Sequence, residues 1–576
     1  MRGGLVALLI GASILLFSAV AGAQSVGGNV RVTVDNGARG PYVSADQLAG
    51  GTYSDGVLQR CGLDRRMQNE PTVAIDPRNP SVWTSGSNDY CTVPTAGDAW
   101  AGFYRTTTGG RTWTDSLLPA YSGDTSPEGL SSPLHQMVVG GATAAGDPVQ
   151  AFDGQGDVFY MGNNFNRGVP DGNSFRTRDN TGDVWVATYA PSNPADSSTD
   201  GSKYLRTVLL ATNTFGQGSF NDKTAIAVDP STGYVYASWS DFHGSGCNQI
   251  LFSRSTDHGA TFSQPLKLSS GICGNQGPSI AIGPGGQVSV SWEGSSGGSF
   301  GQNGVTGAAF VHSTNNGQTF TRAGLVITYI PFDSGQFSGN GARECGDAPF
   351  NCPTGFTFPR FDLASPYLAA DNVNGTLVMA FQAAQASGQG QIEYSYSTDA
   401  GVNWSTPALL APSGDGHQFY PYLSASAGRV NAIFYDSRGD STYSPTRPPC
   451  NSASGQTSAC LNVRYAESTD GGKTWGQSVQ VTDKPTNPNY EQFGGRLVPF
   501  FGDYITVAAQ GDTVGAVWTD QRDTVGAADS SATADNDGAD VAGDPETGGT
   551  CTSSLTSCFD GTGGLDQNIY SAAITP

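Results

Sequence analysis

The chain has 576 residues, with 50 acidic against 28 basic side chains and a formal net charge of −22, a balance that excludes nucleic acid as a partner and gives no attraction to an anionic membrane. Its 79 glycines, short alternating apolar runs and scarce helical periodicity exclude a helical bundle and favour an all-β fold. Such a length usually implies several domains, but repeated units can extend one architecture beyond that expectation.

In chain order, Arg2, the apolar stretch Leu5 to Val20 and the small residues Ala21-Gly22-Ala23 fit a secretory signal over 1–23, an uncleaved anchor being the alternative. No later stretch is apolar enough to span a membrane, so no integral membrane partner is implied, and the expected location is secreted, extracellular or at the cell-envelope exterior. Residues 24–576 read as one repeated β domain. The strand Val30 to Val34 is expected to pair with the last strand, Asn568 to Ile574, and so close the ring without an open sheet edge.

Two repeats then alternate. One is an apolar strand: Pro71 to Pro77, a fainter copy near Val149, Lys223 to Pro230, Pro278 to Pro284, Pro366 to Asp371, Tyr420 to Ala425, and a faint copy near Asp503. A second apolar strand follows each within a few residues, as in Tyr234 to Trp239, Val288 to Trp292 and Val514 to Trp518. The other repeat is a polar phrase ending on an aromatic: Thr106 to Trp113, Ser255 to Phe262, Ser313 to Phe320, Ser397 to Trp404 and Ser468-Thr469-Asp470-Gly471-Gly472-Lys473-Thr474-Trp475. Asp and Gly make a tight turn there, and the aromatic anchors the next strand. Seven strand pairs in units of about four short strands predict a β-propeller, with seven blades favoured over six.

All ten cysteines fall into local couples: Cys61 with Cys91, Cys247 with Cys273, Cys345 with Cys352, Cys450 with Cys460 and Cys551 with Cys558. An even count behind a secretory signal reads as disulfides that pin long loops, although spacing does not establish the connectivity. The segment 520–566 is an acidic loop insertion rich in Asp, Gly, Ser and Thr. No cofactor is required; Asp535, Asp537 and Asp540 offer hard oxygen ligands for a structural calcium, a solvated acidic loop being the favoured reading.

Strand order locates the chemistry. The polar phrases sit in turns between third and fourth strands and mark one rim, so the ends of second strands and the starts of first strands lie on the other. That rim receives Asp241, Glu293, Asp436 with Arg438, Asp520 with Arg522, and also Glu70, Arg360, Arg496 and Asp503. Turned inward, they would supply carboxylates for proton transfer and guanidinium groups for an anionic substrate. Local pairing of Asp436 with Arg438 and of Asp520 with Arg522 is the alternative, because alternate residues share a strand face. Tyr420, Tyr490 and Tyr504 are phenolic candidates, with aromatic packing as the competing role.

The phrases at Ser255, Ser313, Ser397 and Ser468 resemble the Asp-box, or BNR, repeats of the sialidase superfamily, scattered over residues 65 to 575. The resemblance implies a sialidase-like propeller and a glycoside hydrolase that removes a terminal sialic acid or other acidic sugar from extracellular glycans or glycoproteins. Known sialidases use an arginine triad, an aspartate acid/base and a tyrosine activated by a glutamate. By role, Arg438, Arg496 and Arg522 are the candidate substrate-binding residues and Asp436, Glu293 and Tyr504 the candidate catalytic ones, with no metal in the site. The family's first arginine precedes the first repeat strand, whereas this chain has Asn69-Glu70-Pro71-Thr72 there, with Arg65 and Arg66 upstream. Related boxes also occur in propellers that bind glycans or proteins without turnover, and such a binding module is the alternative function.

Overall fold

The computed structural model describes residues 24–35, 37, 39–63, 67–96, 99–165, 182–212, 219–243, 247–296, 305–332, 366–445, 449–452, 455–456, 459–487, 492–493, 498–499, 501–523 and 567–576. Over these residues the chain forms seven antiparallel blades around one axis: six four-stranded sheets and one five-stranded sheet. Blades 1 to 6 span 68–117, 144–211, 219–267, 273–328, 367–409 and 418–480, each sheet running in chain order from axis to periphery.

Blade 7 closes the ring. It contains Thr506–Gln510, Thr513–Asp520 and Asn568–Thr575, and the N-terminal strands Ser25–Val26 and Val30–Arg31 both pair with Asn568–Thr575, with Val30 opposite Ser571. The expected closure is therefore present, with a second short N-terminal strand that the sequence pattern did not separate. First strands of neighbouring blades pack on one another around the whole ring, blade 1 against blade 7 included.

The second strands are buried on both faces and supply the core. Trp239, Trp292 and Trp518 are fully buried at matching positions of blades 3, 4 and 7. Each indole nitrogen donates to a side-chain oxygen, of Asn221 (2.9 Å), Asn275 (2.7 Å) and Asp520 (2.8 Å). A large apolar ring can thus be buried without leaving its N–H unpaired, a loss that alone costs about 1–3 kcal/mol.

The repeated polar phrases form one turn in four blades. In the blade 6 copy, Ser468 donates to Asp470 (2.7 Å) and accepts from Gly472 N (2.8 Å), while Asp470 accepts from Thr474 N and its hydroxyl (2.9 and 2.6 Å). The copies at Ser255, Ser313 and Ser397 repeat this pattern, with Asn315 in place of the aspartate in one. Their glycines take positive φ, and a Cβ on any would strike the preceding blade: Phe159 for Gly259, Phe252 for Gly317, Phe310 for Gly401 and Val378 for Gly472. The glycine therefore serves both the left-handed turn and the blade-to-blade contact. Blade 2 lacks the phrase and uses the turn 191–202 instead.

The register puts these turns on one rim and the ends of second strands on the other: in blade 6, Val430 faces Ser468 while Asp436 faces Asn462. Disulfides join Cys61 to Cys91, Cys247 to Cys273 and Cys450 to Cys460, as the couples predicted. The couples Cys345 with Cys352 and Cys551 with Cys558 lie outside the described residues, as do 1–23 and 524–566. No helix among the described residues is long and apolar enough to cross a membrane.

Candidate functional site

The site grows from one irregularity repeated in the first strands. The first strands of blades 1, 2, 3, 4 and 6 are bulged near their starts, and a residue with positive φ stands there: Glu70 (55°), Asp147 (52°), Lys223 (52°), Gly277 (61°) and Tyr420 (51°), while Gly502 (88°) precedes the first strand of blade 7. Four are followed by proline, Pro71, Pro148, Pro278 and Pro421, which the interrupted ladder accommodates because no N–H is needed. A left-handed conformation at Glu, Asp, Lys or Tyr costs roughly 1–3 kcal/mol and persists only where surroundings impose it.

Here the imposing contacts come from the preceding blade. The N–H of Asp147 donates to Asn88 Oδ1 (3.0 Å), that of Gly277 to Ser240 Oγ (2.9 Å) and that of Tyr420 to Gln382 Oε1 (3.0 Å). Lys223 N instead donates to Asp147 Oδ2 (2.7 Å). These four residues are in this way fixed at the rim opposite the polar turns, next to the axis.

These positions bring one cation and four carboxyl groups together. Lys223 Nζ, from blade 3, meets Asp503 Oδ2 of blade 7 at 2.5 Å, reaching across the ring, and lies 3.9 Å from Asp147 Oδ1. Asn88 Nδ2 donates to Glu70 Oε2 (2.9 Å), and Asn163 Nδ2 to Asp222 Oδ1 (3.1 Å). Asp147 hydrogen-bonds through its side chain with both Glu70 and Asp222. Asp503 Oδ1 is buried with no hydrogen-bond partner.

Burial, followed by repulsion from Asp147, raises Asp222 to about 8. Burial also raises Glu70 and Asp147, with Lys223 opposing the shift in each. Lys223 stays protonated because Asp147, Asp503, Asp222 and Glu70 outweigh its own desolvation. Near neutrality the cluster thus holds a charged lysine and at least one neutral carboxylic acid, Asp222. It opens on a cavity of about 100 Å³ lined by Lys223, Asp503, Tyr367, Tyr422 and Tyr504. Tyr367 and Tyr422 pack ring to ring at 4.6 Å, and Tyr504 donates to Pro148 O (3.2 Å).

The residues selected from sequence divide among different places. Glu70, Asp503 and Tyr504 are in this cluster. Glu293 is buried at the end of its strand and accepts from Tyr329 (2.9 Å), so its phenolic partner is Tyr329 and not Tyr504. Asp436 holds Arg438 by two bonds (2.7 and 2.9 Å) and also accepts from Gln418 (2.8 Å). Asp520 holds Arg522 (2.7 Å), whose guanidinium also meets Asp483 and Asn29 and lies 4.2 Å over the Tyr570 ring. The two arginines are therefore held by different neighbours in different blades, and Arg438 lines an outer cleft between blades 5 and 6. Arg496, Arg360 and Tyr490 lie outside the described residues, as do Asp535, Asp537 and Asp540.

Lys223, Asp147 and Asp222 were not singled out from sequence. Aligning the seven first strands on the residue before Pro71, Pro148, Pro278 and Pro421 would have placed Glu70, Asp147 and Lys223 in one column. For a metal, the described residues offer one group, Asp153, Asp157 and His258, with ligand atoms within 4.8 Å of one another. His258 already bonds Asp153 (3.0 Å) and Gln155 (3.3 Å), so local hydrogen bonds account for the group.

No protein-family model and no curated protein matches the chain. Among solved structures it is similar to the Hadza microbial sialidase Hz136, at 12% identity and TM-score 0.37 over 74% of this chain and 72% of that one. It is also similar to the GH93 α-L-arabinofuranosidase of Fusarium graminearum (12%, 0.39, 71% and 92%) and to a PL25 ulvan lyase (12%, 0.38, 78% and 91%). Likenesses of this strength say nothing about activity.

Proposed function

We propose that this chain is a secreted, glycan-acting β-propeller with a hydrolase centre on its axis. The observation that carries the reading is the Lys223–Asp503 pair spanning the ring beside Asp222, a carboxyl group that burial keeps protonated near neutrality. Glycoside hydrolysis needs a neutral carboxylic acid to protonate the leaving oxygen and an ionised carboxylate to assist water or stabilise an oxocarbenium-like centre. Asp222 supplies the first kind of group. Asp503, paired with Lys223 and with one oxygen unpartnered, is the candidate for the second.

In its finer form the proposal has a terminal sialic acid or other acidic sugar as substrate. Asp436 then exchanges a proton, Glu293 activates a tyrosine, and Tyr504 lines the site, while Arg438, Arg496 and Arg522 hold the sugar carboxylate. The Tyr329–Glu293 hydrogen bond favours Tyr329 as the activated phenol, and Lys223 adds a cation near the axis. A structural calcium on Asp535, Asp537 and Asp540 belongs to the same proposal as an accessory. Glycoproteins are expected partners where they present the glycan.

The test is a time-resolved screen of sialosides, uronic acid glycans and neutral glycans with the parent and with Asp147→Asn, Asp503→Asn, Arg438→Ala, Arg496→Ala and Arg522→Ala. Sugar release that falls a hundredfold or more in kcat/KM in the folded Asp147 or Asp503 variants supports the axial centre. Loss confined to the arginine variants moves the chemistry off the axis. A second reading, a glycan-binding propeller without turnover, is favoured by the small funnel: about 100 Å³, against about 300–1,000 Å³ for small-molecule sites. Saturable binding with no released sugar selects it.

A further inference from the structure

The cleft that holds Arg438 has its own chemistry. It measures about 570 Å³ and lies between the outer strands of blades 5 and 6, walled by Leu409 to Pro412 on one side and by Arg464 and Thr474 to Ser478 on the other. That volume falls within the range of small-molecule sites.

Its charge is out of balance. Arg438 is neutralised by Asp436, but Arg464 makes no ion pair among the described residues; its guanidinium bonds only Ser478, through Nε to the hydroxyl (2.9 Å) and Nη2 to the backbone carbonyl. Among the described residues neither arginine's Nη1 has a hydrogen-bond partner. Burial and then the neighbouring Arg438 lower Arg464 from its ordinary value, the direction expected of two cations facing one cleft. An unpaired, half-buried arginine is unexpected in a chain with 50 acidic and 28 basic residues.

The aromatic wall is unusual as well. Trp113 and Trp404, at the equivalent place in their turns, each donate Nε1 to the turn glycine carbonyl three residues earlier (3.1 Å). Trp475 does not: its Nε1 is buried without a partner, and its ring meets Tyr394 edge to face at 5.8 Å. The cleft therefore presents two guanidinium groups lacking a second anion and an aromatic surface beside the polar Thr474, Gln477 and Ser478.

We propose that this cleft is a second glycan-binding site, separate from the axis, which takes a saccharide unit bearing a carboxylate or sulfate. The planar guanidinium forks of Arg438 and Arg464 bind the anionic group. The Trp475 ring packs on the apolar face of the pyranose. The site shares Arg438 with the finer form of the proposed function but needs none of Lys223, Asp147 and Asp503, so loss of turnover in the axial variants leaves it standing.

The experiment is isothermal titration of the full chain with a uronic acid tetrasaccharide, a sulfated tetrasaccharide and a neutral cellotetraose, with Trp fluorescence as a second readout. Saturable binding of at least one anionic probe, at least tenfold tighter than the neutral one and weakened by added salt, is expected. The tighter anionic probe identifies carboxylate or sulfate as the natural group. Arg464→Met should weaken binding at least tenfold and the exposed-site Gln477→Glu at least fivefold, while Tyr504→Phe in the funnel should leave Kd within twofold. Equal affinity for cellotetraose, no binding of either anionic probe, or binding unchanged in Arg464→Met and Gln477→Glu overturns the assignment.

Discussion

The funnel and the outer cleft each set cations among aromatic rings, and they balance charge in opposite directions. At the axis four carboxyl groups share one lysine, so the surplus is removed by retaining protons, and Asp222 is raised to about 8. In the cleft Asp436 pairs with only one of two arginines, and because guanidinium groups do not give up their protons the surplus stays as a positive field. One chain of net charge −22 thus keeps a proton reservoir on its axis and an anion-seeking wall at its edge. The difference follows from which side chain can titrate, and a titrating group is the one suited to proton transfer.

The largest test of this contrast is Lys223→Met. At 2.5 Å the Lys223–Asp503 attraction is roughly 6–7 kcal/mol for an effective dielectric near 20, and desolvation of the two ions offsets much of it. Removing one partner leaves a buried charge, so unfolding by urea at pH 7.5 should show a loss of about 3–5 kcal/mol. Lys223→Met combined with Asp503→Leu should recover most of that loss. Equal costs for the single and double variants would mean that the pair is a solvated contact and not an axial strut.

The second test is Gly472→Ala beneath the cleft wall. An alanine Cβ would stand 2.1 Å from Val378 Cγ2 at φ +84°, so backbone strain and overpacking together should cost about 2–4 kcal/mol. It should also shift Trp475 fluorescence. Gly476→Ala, whose Cβ would meet only Glu467 O at 3.5 Å, is the control and should stay within about 0.5 kcal/mol.

How far these features could be read in the sequence depends on the distance over which each is made. The polar turns are closed within five residues by their own Ser, Asp and Thr, and they were legible in full. Asp436 with Arg438 and Asp520 with Arg522 are pairs two residues apart, and strand alternation anticipated them as the local alternative. The Lys223–Asp503 contact joins residues separated by 280 positions, so no local pattern announces it, although Glu70 and Asp503 stood out as charges beside first strands. Trp475 carries the same phrase as Trp404, and only its lost N–H partner marks it.

The pH dependence of stability is the third test. The folded-state value for Asp222, about 8, lies above its ordinary value of 3.8, so the native chain binds more protons than the unfolded chain between those limits. Its contribution is fully present below pH 4 and is lost as pH rises through 8. Asp222→Asn removes the titration while keeping an amide able to hydrogen-bond Asp147. The parent should therefore lose stability between pH 5 and pH 8 more steeply than the variant, by about 3–4 kcal/mol for the full shift, in parallel urea titrations. Equal slopes would show that the axial carboxyl groups are already ionised.

The smallest effect is expected at the other pole of the comparison, in Arg464→Met. The substitution removes two hydrogen bonds to Ser478, each worth about 0.5–1.5 kcal/mol. It also removes an unpaired half-buried charge and its repulsion by Arg438, and methionine keeps apolar contact with the cleft wall. These terms oppose one another, so stability should stay within about 1 kcal/mol of the parent, far from the loss expected at Lys223. A loss near 3 kcal/mol would mean that Arg464 is a structural strut with a hidden anionic partner, and the cleft would then have no positive charge to spare for a ligand.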